Sequence, residues 1–303
     1  MKKEASFTVE LKGGLGNQLF GYFAGTYMRE KTGAPVYFDH SLSSGNSNHH
    51  GSSLASFQIP AHANNSHGSK KILSRVSQFM VWPLLRRTDK GRRYFCKIFS
   101  CYKSEVVGFD PLLLDCKPGT LVQGYFQTYK YFCSLGNPDS KTITLKNPSN
   151  WYLDLSIRAQ EDSPVMIHVR RGDYGQAQNS YFGQLSPAYF MNAVIALKET
   201  LHETDLEIWV FSDEIERVEA EFSTLGLSNV TYVKAPPGTD PAEELMLMSL
   251  GGGLITSNST FSLWAGLLSK SQVVVSPSKW FQHRNDPDDL IPPLWIKCAS
   301  DWL

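Results

Sequence analysis

The chain has 303 residues, of which 42% are hydrophobic and 19% charged, and its formal net charge is zero. This length allows two domains of about 150 residues, each with its own core. The neutral balance argues against nucleic acid as a partner. The five cysteines are odd in number and lack a Cys-x-x-Cys pair, which argues against a disulfide framework and a zinc site and favours a reducing compartment.

The N-terminus and the hydropathy pattern bear on location. Residues 1–7 lead straight into a strand-like segment and contain no signal-peptide apolar region. No uninterrupted apolar run approaches the ~20 residues that a membrane span needs. We therefore expect a cytoplasmic protein whose sequons at Asn64, Asn229 and Asn258 stay unglycosylated.

The first predicted elements alternate as in a doubly wound α/β domain. A strand is predicted over 7–11, and the glycine-rich loop 13–16 follows it. Apolar residues at helical spacing predict a helix over about 17–32. A second strand is predicted over 35–39. Strand, glycine loop, helix and strand together indicate the start of a doubly wound sheet.

Two segments of the first half interrupt this alternation. Residues 40–69 are rich in Ser, Asn, Gly and His; a metal cluster and a polar loop are the alternatives, and irregular histidine spacing favours the loop. Residues 86–103 carry seven basic residues against Asp89 alone, with aromatic residues between them. This stretch is either a solvated amphipathic face or a surface that docks on an anionic membrane.

The second half alternates more regularly. The polar stretch 135–151 predicts a domain boundary, and we divide the chain into residues 1–150 and 151–303. Helices are expected to begin at or near Ser186-Pro187, Glu214, Asp240 and Ser259, with an Asp240–Glu243 capping box at the third. Strands are predicted over 165–169, 206–211, 230–234, 253–256 and 272–276. This alternation predicts a second doubly wound α/β domain.

Residues 168–173, His-Val-Arg-Arg-Gly-Asp, follow a buried strand and are the most informative segment. Open parallel sheets collect ligand-binding residues at this end of their strands. Arginine donors match phosphate oxygens, and Gly172 eases the turn that would bring both arginines to one ligand. The segment indicates a diphosphate site; the alternative is an ion pair between an arginine and Asp173.

Three further strand ends carry polar or glycine residues. In Gly13-Gly-Leu-Gly-Asn-Gln18 the glycines precede a helix N-terminus, which favours an anion, although the dinucleotide Gly-x-Gly-x-x-Gly spacing is absent. Asp213 is either a ligand for a base or ribose, or a helix N-cap. The run Thr256–Thr260 has more hydroxyl and amide groups than one N-cap needs, which indicates an anion site. There is no P-loop, His-Glu-x-x-His or Gly-x-Ser-x-Gly motif, so we expect neither a metal nor a cofactor.

With these segments assembled, the chain resembles the α-1,2-fucosyltransferases of glycosyltransferase family 11. The matching stretches run in family order over residues 13–20, 124–132, 168–174, 211–213, 257–262 and 278–281. The resemblance implies a GT-B fold, in which two Rossmann-like doubly wound domains face each other across a cleft. It also implies that residues 1–150 lie on the acceptor side and that residues 151–303 bind the GDP-sugar donor.

The resemblance also implies roles for single residues. Arg170 and Arg171 would lie by the donor diphosphate, with His168 and Asp173 ordering them, and these four are the expected catalytic group. Asp173 and His168 are both candidates for the general base. A dissociative reaction path would need little assistance from either of them. The remaining donor-binding residues are expected to be Gly14, Gly16, Asn17, Asp213, Ser257, Asn258, Ser259 and Thr260.

The implied reaction is metal-free, inverting transfer of L-fucose from GDP-β-L-fucose to the 2-hydroxyl of a galactose-terminated glycan. The acceptor would be a free oligosaccharide or a lipid-linked glycan of polysaccharide assembly. A lipid-linked acceptor would suit peripheral contact of residues 86–103 with the inner membrane face. The alternatives are another GDP-sugar transferase of the same fold and a non-catalytic GDP-binding protein.

Overall fold

The computed structural model describes residues 5–40, 53–59, 81–175, 181–269 and 273–303. The chain divides into two compact units, Met1–Thr144 and Leu145–Leu303. This boundary falls within the polar stretch 135–151. Of the predicted loop 40–69, residues 41–52 and 60–69 lie outside the described residues.

The first unit alternates strands and helices around a parallel sheet. In chain order its elements are β1 (Phe7–Glu10), α1 (Leu15–Thr32), β2 (Val36–Asp39), β3 (Phe57–Gln58), α2 (Trp82–Leu85), α3 (Asp89–Phe99), β4 (Cys101–Lys103), β5 (Leu121–Gln123), α4 (Lys130–Cys133) and β6 (Thr144–Leu145). Four strands form a sheet in the order β2–β1–β5–β4, with every pair parallel. Strands β3 and β6 form a separate two-stranded sheet.

Helix α1 lies directly on this sheet. Residues Leu19, Phe20 and Phe23 are almost fully buried, which explains the apolar spacing that predicted the helix. A Cβ on Gly25 would lie 2.6 Å from the Phe38 ring, so the glycine allows the helix backbone to approach β2. The glycine loop between β1 and α1 is thereby held at the carboxyl end of the sheet.

The second unit contains the larger parallel sheet. In chain order its elements are α5 (Asn150–Asp162), β7 (Val165–Val169), α6 (Pro187–Leu201), β8 (Ile208–Ser212), α7 (Ile215–Phe222), β9 (Val230–Tyr232), α8 (Pro241–Met248), β10 (Gly253–Ile255), α9 (Thr260–Leu268), β11 (Val274–Pro277) and β12 (Ile296–Cys298). The strand order is β12–β11–β10–β7–β8–β9. Counted within the unit, this is the doubly wound order 3-2-1-4-5-6 of the Rossmann fold.

The predicted fold class is confirmed, since both units are α/β with parallel sheets. The sequence missed the 13-residue helix α5, the short helix α2, and the short strands β3, β4, β6 and β12. β12 follows a segment without helical periodicity and pairs in parallel with β11 through Ile296, Lys297 and Cys298. Such pairing is decided by the neighbouring strand and leaves little signal in three residues.

Strand β7 is central to the second unit and is buried along its whole length. Val165, Ile167 and Val169 face a core that includes Phe190 and Leu197 of α6. Burial of each such side chain contributes roughly 1.5–3 kcal/mol. A rigid central strand therefore carries the residues that follow it.

The switch point of this sheet lies between β7 and β10, where the strand order reverses. Ile167 of β7 is in register with Ile255 of β10, and Val169 is in register with Ser212 of β8. The carboxyl ends of β7, β8 and β10 therefore lie at one level. Doubly wound sheets bind ligands in the crevice at this position.

Candidate functional site

Arg170 follows β7 at the switch point and is held by an ion pair. Its Nη1 lies 3.0 Å from Oδ2 of Asp213, and each of the two side chains is 26% exposed. The guanidinium carbon lies 5.5 Å from the centre of the Tyr174 ring. A permanent positive charge is thus fixed at the carboxyl end of the sheet while remaining accessible.

Arg171 points the other way and is fully buried. Its Nε and Nη2 donate to Oε2 of Glu221 at 2.9 and 2.7 Å, and its Nη1 donates to the Leu185 carbonyl at 2.9 Å. This corrects the expectation that both arginines lie by the donor diphosphate. Adjacent residues of an extended backbone face opposite sides, and the turn at Gly172 comes too late to reverse Arg171. The Arg171 guanidinium is therefore part of the interior that supports the turn after β7.

Gly172 is required for space. A Cβ at this residue would lie 2.3 Å from Oδ2 of Asp213. The other oxygen of that carboxylate, Oδ1, accepts the Arg171 backbone N–H at 2.9 Å. Both carboxylate oxygens of Asp213 therefore contact the turn after β7. Asp213 does not cap α7, whose N-cap is Glu214.

His168 lies beneath this surface. Its Nδ1 is 2.8 Å from Oγ of Ser257, and the residue is 5% exposed. Burial, and secondarily the Arg170 charge, lower the pKa of His168 to about 3. An imidazole whose pKa is lowered so far is a weak general base at neutral pH, so burial does not favour His168 in that role. It orders Ser257 rather than the arginines.

The residues of the run Thr256–Thr260, after β10, have different structural roles. Ser259 is the N-cap of α9, and its Oγ accepts the Phe261 N–H at 3.3 Å. Asn258 is buried, and its Nδ2 donates to the carbonyls of Phe182, Gly183 and Trp280 at 3.0, 3.2 and 3.2 Å. The Asn258 amide thus joins two loops, and the predicted contact of Asn258 with a donor stays a prediction.

The N-terminus of α9 is the part of this segment that could bind an anion. Thr260 begins α9 and is partly exposed, beside Ser259 at the N-cap. Backbone N–H groups of a helix N-terminus attract negative charge. Arg170 and the α9 N-terminus thus follow the two strands that flank the switch point.

Tyr174 and Asp173 continue the chain after the arginines. The Tyr174 hydroxyl donates to the Asn258 carbonyl at 3.1 Å, and its ring stacks on Phe182 with 4.6 Å between centroids. Asp173 lies in the short 3-10 helix Gly172–Gly175. Its side chain lies outside the part of the chain that the structure describes, so its predicted role stays a prediction.

Glu244 is a candidate residue that the sequence did not single out. It lies in the first turn of α8, and it makes no hydrogen bond or ion pair with any other described residue. Burial, and secondarily the Asp213 carboxylate, raise the pKa of Glu244 to about 7. Perturbed carboxylates of this kind are typical of functional sites.

The sequence around Glu244 contains a signal that could have identified it, namely two adjacent acidic residues at the start of a predicted helix. Asp240 caps α8, with Oδ1 accepting the Ala242 N–H at 2.9 Å. The predicted capping box is wrong, however, because the Glu243 carboxylate accepts the backbone N–H and the hydroxyl of Ser149 at 2.8 and 2.6 Å. Two adjacent acids open this helix, and one of them, Glu244, has no hydrogen-bond or ion-pair partner within the described part of the chain.

The carboxyl edge of the first unit's sheet is built from amides and glycines. Gly13 has a φ of 73°, Gly14 is the N-cap of α1, and Gly16 is buried in the first helical turn. Oδ1 of Asn17 accepts from Nε2 of Gln127 at 2.8 Å, which joins the first turn of α1 to the loop after β5. The predicted approach of Gly14, Gly16 and Asn17 to a donor stays a prediction.

Positive charge lies at this same edge too, since Lys12 follows β1 and Lys103 ends β4. The Lys12 ammonium lies 4.2 Å from the centre of the half-exposed Tyr125 ring. Burial, partly offset by the Glu10 charge, lowers the pKa of Lys12. The edge therefore offers amide, aromatic and ammonium groups with little net charge.

Fold and site together define a class of protein. Two Rossmann-like units in one chain, with a cation and a helix N-terminus at the switch point of the second, are the features of a GT-B glycosyltransferase. Among the described residues, no group of three His, Cys, Asp or Glu side chains could hold a metal ion. None of the described helices is long and apolar enough to cross a membrane.

The chain belongs to glycosyl transferase family 11, whose family model matches residues 107–296. The family predicted from the motifs is thus confirmed. An alpha-1,2-colitosyltransferase from Escherichia coli is 25% identical over 303 residues, which cover 95% of this chain and 97% of that protein. The O-antigen biosynthesis glycosyltransferase WbnK from Escherichia coli is 29% identical over 144 residues, which cover 46% of each chain.

A solved structure shares the fold. The crystal structure of the fucosyltransferase NodZ from Bradyrhizobium matches with a TM-score of 0.50 at 13% identity. The match covers 88% of this chain and 94% of that one. At this identity the likeness establishes the fold alone.

Proposed function

We propose that the protein transfers L-fucose from GDP-β-L-fucose to the 2-hydroxyl of a galactose-terminated glycan, with inversion to an α-1,2 linkage. Membership of family 11 supports a glycosyl transfer. The linkage is supported by the Escherichia coli relative, an alpha-1,2-colitosyltransferase that aligns over 95% of this chain. The observation that carries the proposal is the accessible Arg170 at the switch point, held by Asp213.

Arg170 suits the chemistry of the leaving group. When the bond between fucose and the β-phosphate breaks, negative charge grows on the GDP oxygens. A guanidinium fixed beside those oxygens stabilises the transition state more than the ground state. The ion pair with Asp213 keeps Arg170 in place before the donor arrives, so little reorganisation is needed during the reaction.

The buried groups around Arg170 make this geometry rigid. Arg171 and Glu221 hold the end of β7 from below, and His168 holds Ser257 at the end of β10. We assign them positioning roles. The reaction is proposed to pass through an oxocarbenium-like transition state that needs little help from a base.

Glu244 suits recognition of the nucleoside. The guanine base carries neighbouring N–H donors on one edge, which an ionised carboxylate can accept in a bidentate manner. Glu244 has no other partner among the described residues, and it lies near Asp213. We propose that it binds guanine, which would explain a preference for GDP over uridine donors.

Colitose is a second candidate for the transferred sugar. It is L-fucose without the 3-hydroxyl, and the relative named for it aligns over nearly the whole of both chains. Donor choice between the two sugars then depends on whether a group of this chain hydrogen-bonds the 3-hydroxyl. A site that does so would reject the deoxy sugar strongly.

The test starts with isothermal titration of the purified protein, in EDTA, with GDP, GDP-fucose, GDP-colitose, GDP-mannose and UDP-galactose. Selective binding of GDP and a 6-deoxy GDP-sugar is expected. Transfer to galactosides, again in EDTA, should then yield a product whose α-1,2 linkage is read by NMR. Binding of a uridine donor, or transfer only after a divalent metal is added, would overturn the proposal. Binding of GDP without any transfer would favour the non-catalytic alternative.

A further inference from the structure

Helix α3 has two apolar faces, and only one of them is used for packing. Phe95 faces inward and packs with Trp82, Cys101 and Leu121 in a buried cluster. On the outer side, Tyr94 is 59% exposed and Ile98 is 52% exposed. The core of the first unit therefore accounts for the inner face and leaves the outer one unexplained.

The outer face is also positively charged. Lys90, Tyr94, Lys97 and Ile98 follow one another at the i, i+4, i+7, i+8 spacing of a single helix face, and all four are exposed. We call these four residues the basic-apolar face. Just before them, Leu84 is 78% exposed and Arg87 is exposed.

Part of the positive charge here is unbalanced. Between residues 60 and 104 the chain has ten basic residues and a single acidic one, Asp89. Arg86, Arg92 and Arg93 form ion pairs with Glu105, Asp89 and Asp115. Among the described residues, no ion-pair partner lies beside Arg87, Lys90 or Lys97. These three cations remain available to an external anion.

A second helix of the same chain offers a contrast. Helix α5 also exposes two apolar residues at i and i+4, Leu153 and Ile157. Its exposed neighbours include the acids Asp154, Glu161 and Asp162. An exposed apolar pair is thus not distinctive in itself, whereas an apolar pair between unpaired cations is.

We propose that the basic-apolar face binds the anionic surface of a lipid bilayer. Tyr94 and Ile98 would enter the headgroup region, while Lys90, Lys97 and Arg87 would lie among the lipid phosphates. Short basic segments with apolar residues bind membranes in this way through the sum of apolar burial and charge attraction. The inference does not depend on the proposed sugar transfer.

The test is co-sedimentation of the full chain with vesicles of phosphatidylcholine, with and without phosphatidylglycerol. Binding is expected only with phosphatidylglycerol and should fall steeply between about 0.1 and about 1 M salt, where the Debye length shortens. Each basic residue near an anionic surface strengthens binding about fivefold. The triple change Arg87→Ser, Lys90→Ser, Lys97→Ser should therefore weaken it by about 100-fold.

Two further variants separate the apolar contribution from a general surface effect. Tyr94→Ser with Ile98→Ser should weaken vesicle binding by roughly tenfold or more, because the inserted apolar area is lost. Leu153→Ser with Ile157→Ser is the matched control on α5 and should bind vesicles like the unchanged protein. Thermal melting and GDP titration should stay unchanged in all three variants, which distinguishes loss of docking from loss of folding or donor binding.

Three results would overturn the inference. The first is absence of binding to phosphatidylglycerol vesicles at low salt. The second is equal loss of binding in the α5 control, which would make the effect unspecific. The third is binding to duplex DNA as tight and as salt-sensitive as that to vesicles, which would identify the surface as a general polyanion site.

Discussion

The carboxyl edges of the two parallel sheets are built from different chemistry. In the second unit, Arg170, Asp213 and Glu244 bring charge to the edge, supported by the ion pair between buried Arg171 and partly exposed Glu221. In the first unit, the glycine loop and the amide pair of Asn17 and Gln127 share the corresponding edge with the charged residues Glu10, Lys12 and Asp39. Charge is needed where charge develops during a reaction, while amide and aromatic groups suit neutral polar ligands. The contrast is what a charged donor and a neutral glycan would require.

Arg170→Ala should have the largest effect on activity. Losing a donor that stabilises the leaving group costs about 3–4 kcal/mol in the transition state, or roughly 100- to 1000-fold in kcat. Steady-state transfer assays measure this. Arg158→Ala, which removes an exposed arginine that lies beside Glu207 at the opposite, amino end of β8, should leave kcat unchanged. Wild-type turnover in Arg170→Ala would contradict the proposal that Arg170 stabilises the negative charge on the leaving group.

Arg171→Ala should mainly destabilise the fold. Removing the fully buried Arg171 deletes its hydrogen bonds to the Leu185 carbonyl and to Glu221, which then keeps only Arg217, and is expected to lower the free energy of unfolding by about 3 kcal/mol. Arg170→Ala, which breaks a partly exposed pair, should cost about 1 kcal/mol or less. Urea denaturation of both variants checks this difference. Equal stability of the two would contradict the positioning role of Arg171.

Gly172→Ala should disturb the site through Asp213. The added methyl group would meet the Asp213 carboxylate, and overpacking of this kind typically costs about 1–3 kcal/mol. Asp213→Ala removes the carboxylate that the methyl group would meet. In that background, Gly172→Ala should lower the unfolding free energy much less. A double-mutant cycle on unfolding free energies measures this coupling. Strictly additive effects would show that the close approach is unimportant.

Glu244→Gln should change the pH dependence of GDP binding. The ionised carboxylate is the form that accepts guanine N–H groups, and the pKa of Glu244 is raised to about 7. GDP affinity should therefore rise by up to about tenfold per pH unit below that pKa and level off above it. In the glutamine variant the profile should be flat. Titration calorimetry between about pH 6 and about pH 8 measures it, and an unchanged profile in the variant would exclude Glu244 from the nucleoside site.

The same raised pKa also affects stability. The native protein keeps a proton on Glu244 over a pH range in which the unfolded chain has lost it. The contribution of this group to the unfolding free energy therefore falls as the pH rises from about 4.5 to about 7. This sign is opposite to that of an ion-paired carboxylate.

Gln127→Ala should have the smallest effect and should separate the two edges. It removes one neutral hydrogen bond, worth about 1 kcal/mol, from the loop that Asn17 supports. The expected result is a roughly fivefold higher KM for the glycan acceptor with unchanged GDP affinity. Acceptor titrations at saturating donor measure the first quantity, and calorimetry measures the second. A loss of GDP affinity instead would assign this edge to the donor.

Many of the secondary-structure elements can be predicted from short-range patterns in the sequence. The apolar spacing of α1, the buried run of β7 and the Ser186-Pro187 cap of α6 each act over a few residues, so periodicity and cap chemistry reveal them. The Ser186 hydroxyl does accept the Ala188 N–H at 3.1 Å. The parallel, doubly wound class of the sheets follows from strand–helix alternation, since crossovers between parallel strands are right-handed, whereas the strand order came from the structure. Family motifs at strand ends then located the candidate site.

The partners within the site are a matter of tertiary structure. Nothing in the sequence assigns Arg170 to Asp213 and Arg171 to Glu221, which lie 43 and 50 residues further along the chain. The amide of Asn258 is taken by carbonyls 75 and 76 residues away. By itself the sequence determined which residues stand at the carboxyl ends of the strands. Only the packed sheet decided which of them are buried supports and which remain accessible, because burial and pairing depend on neighbours that are distant in the chain.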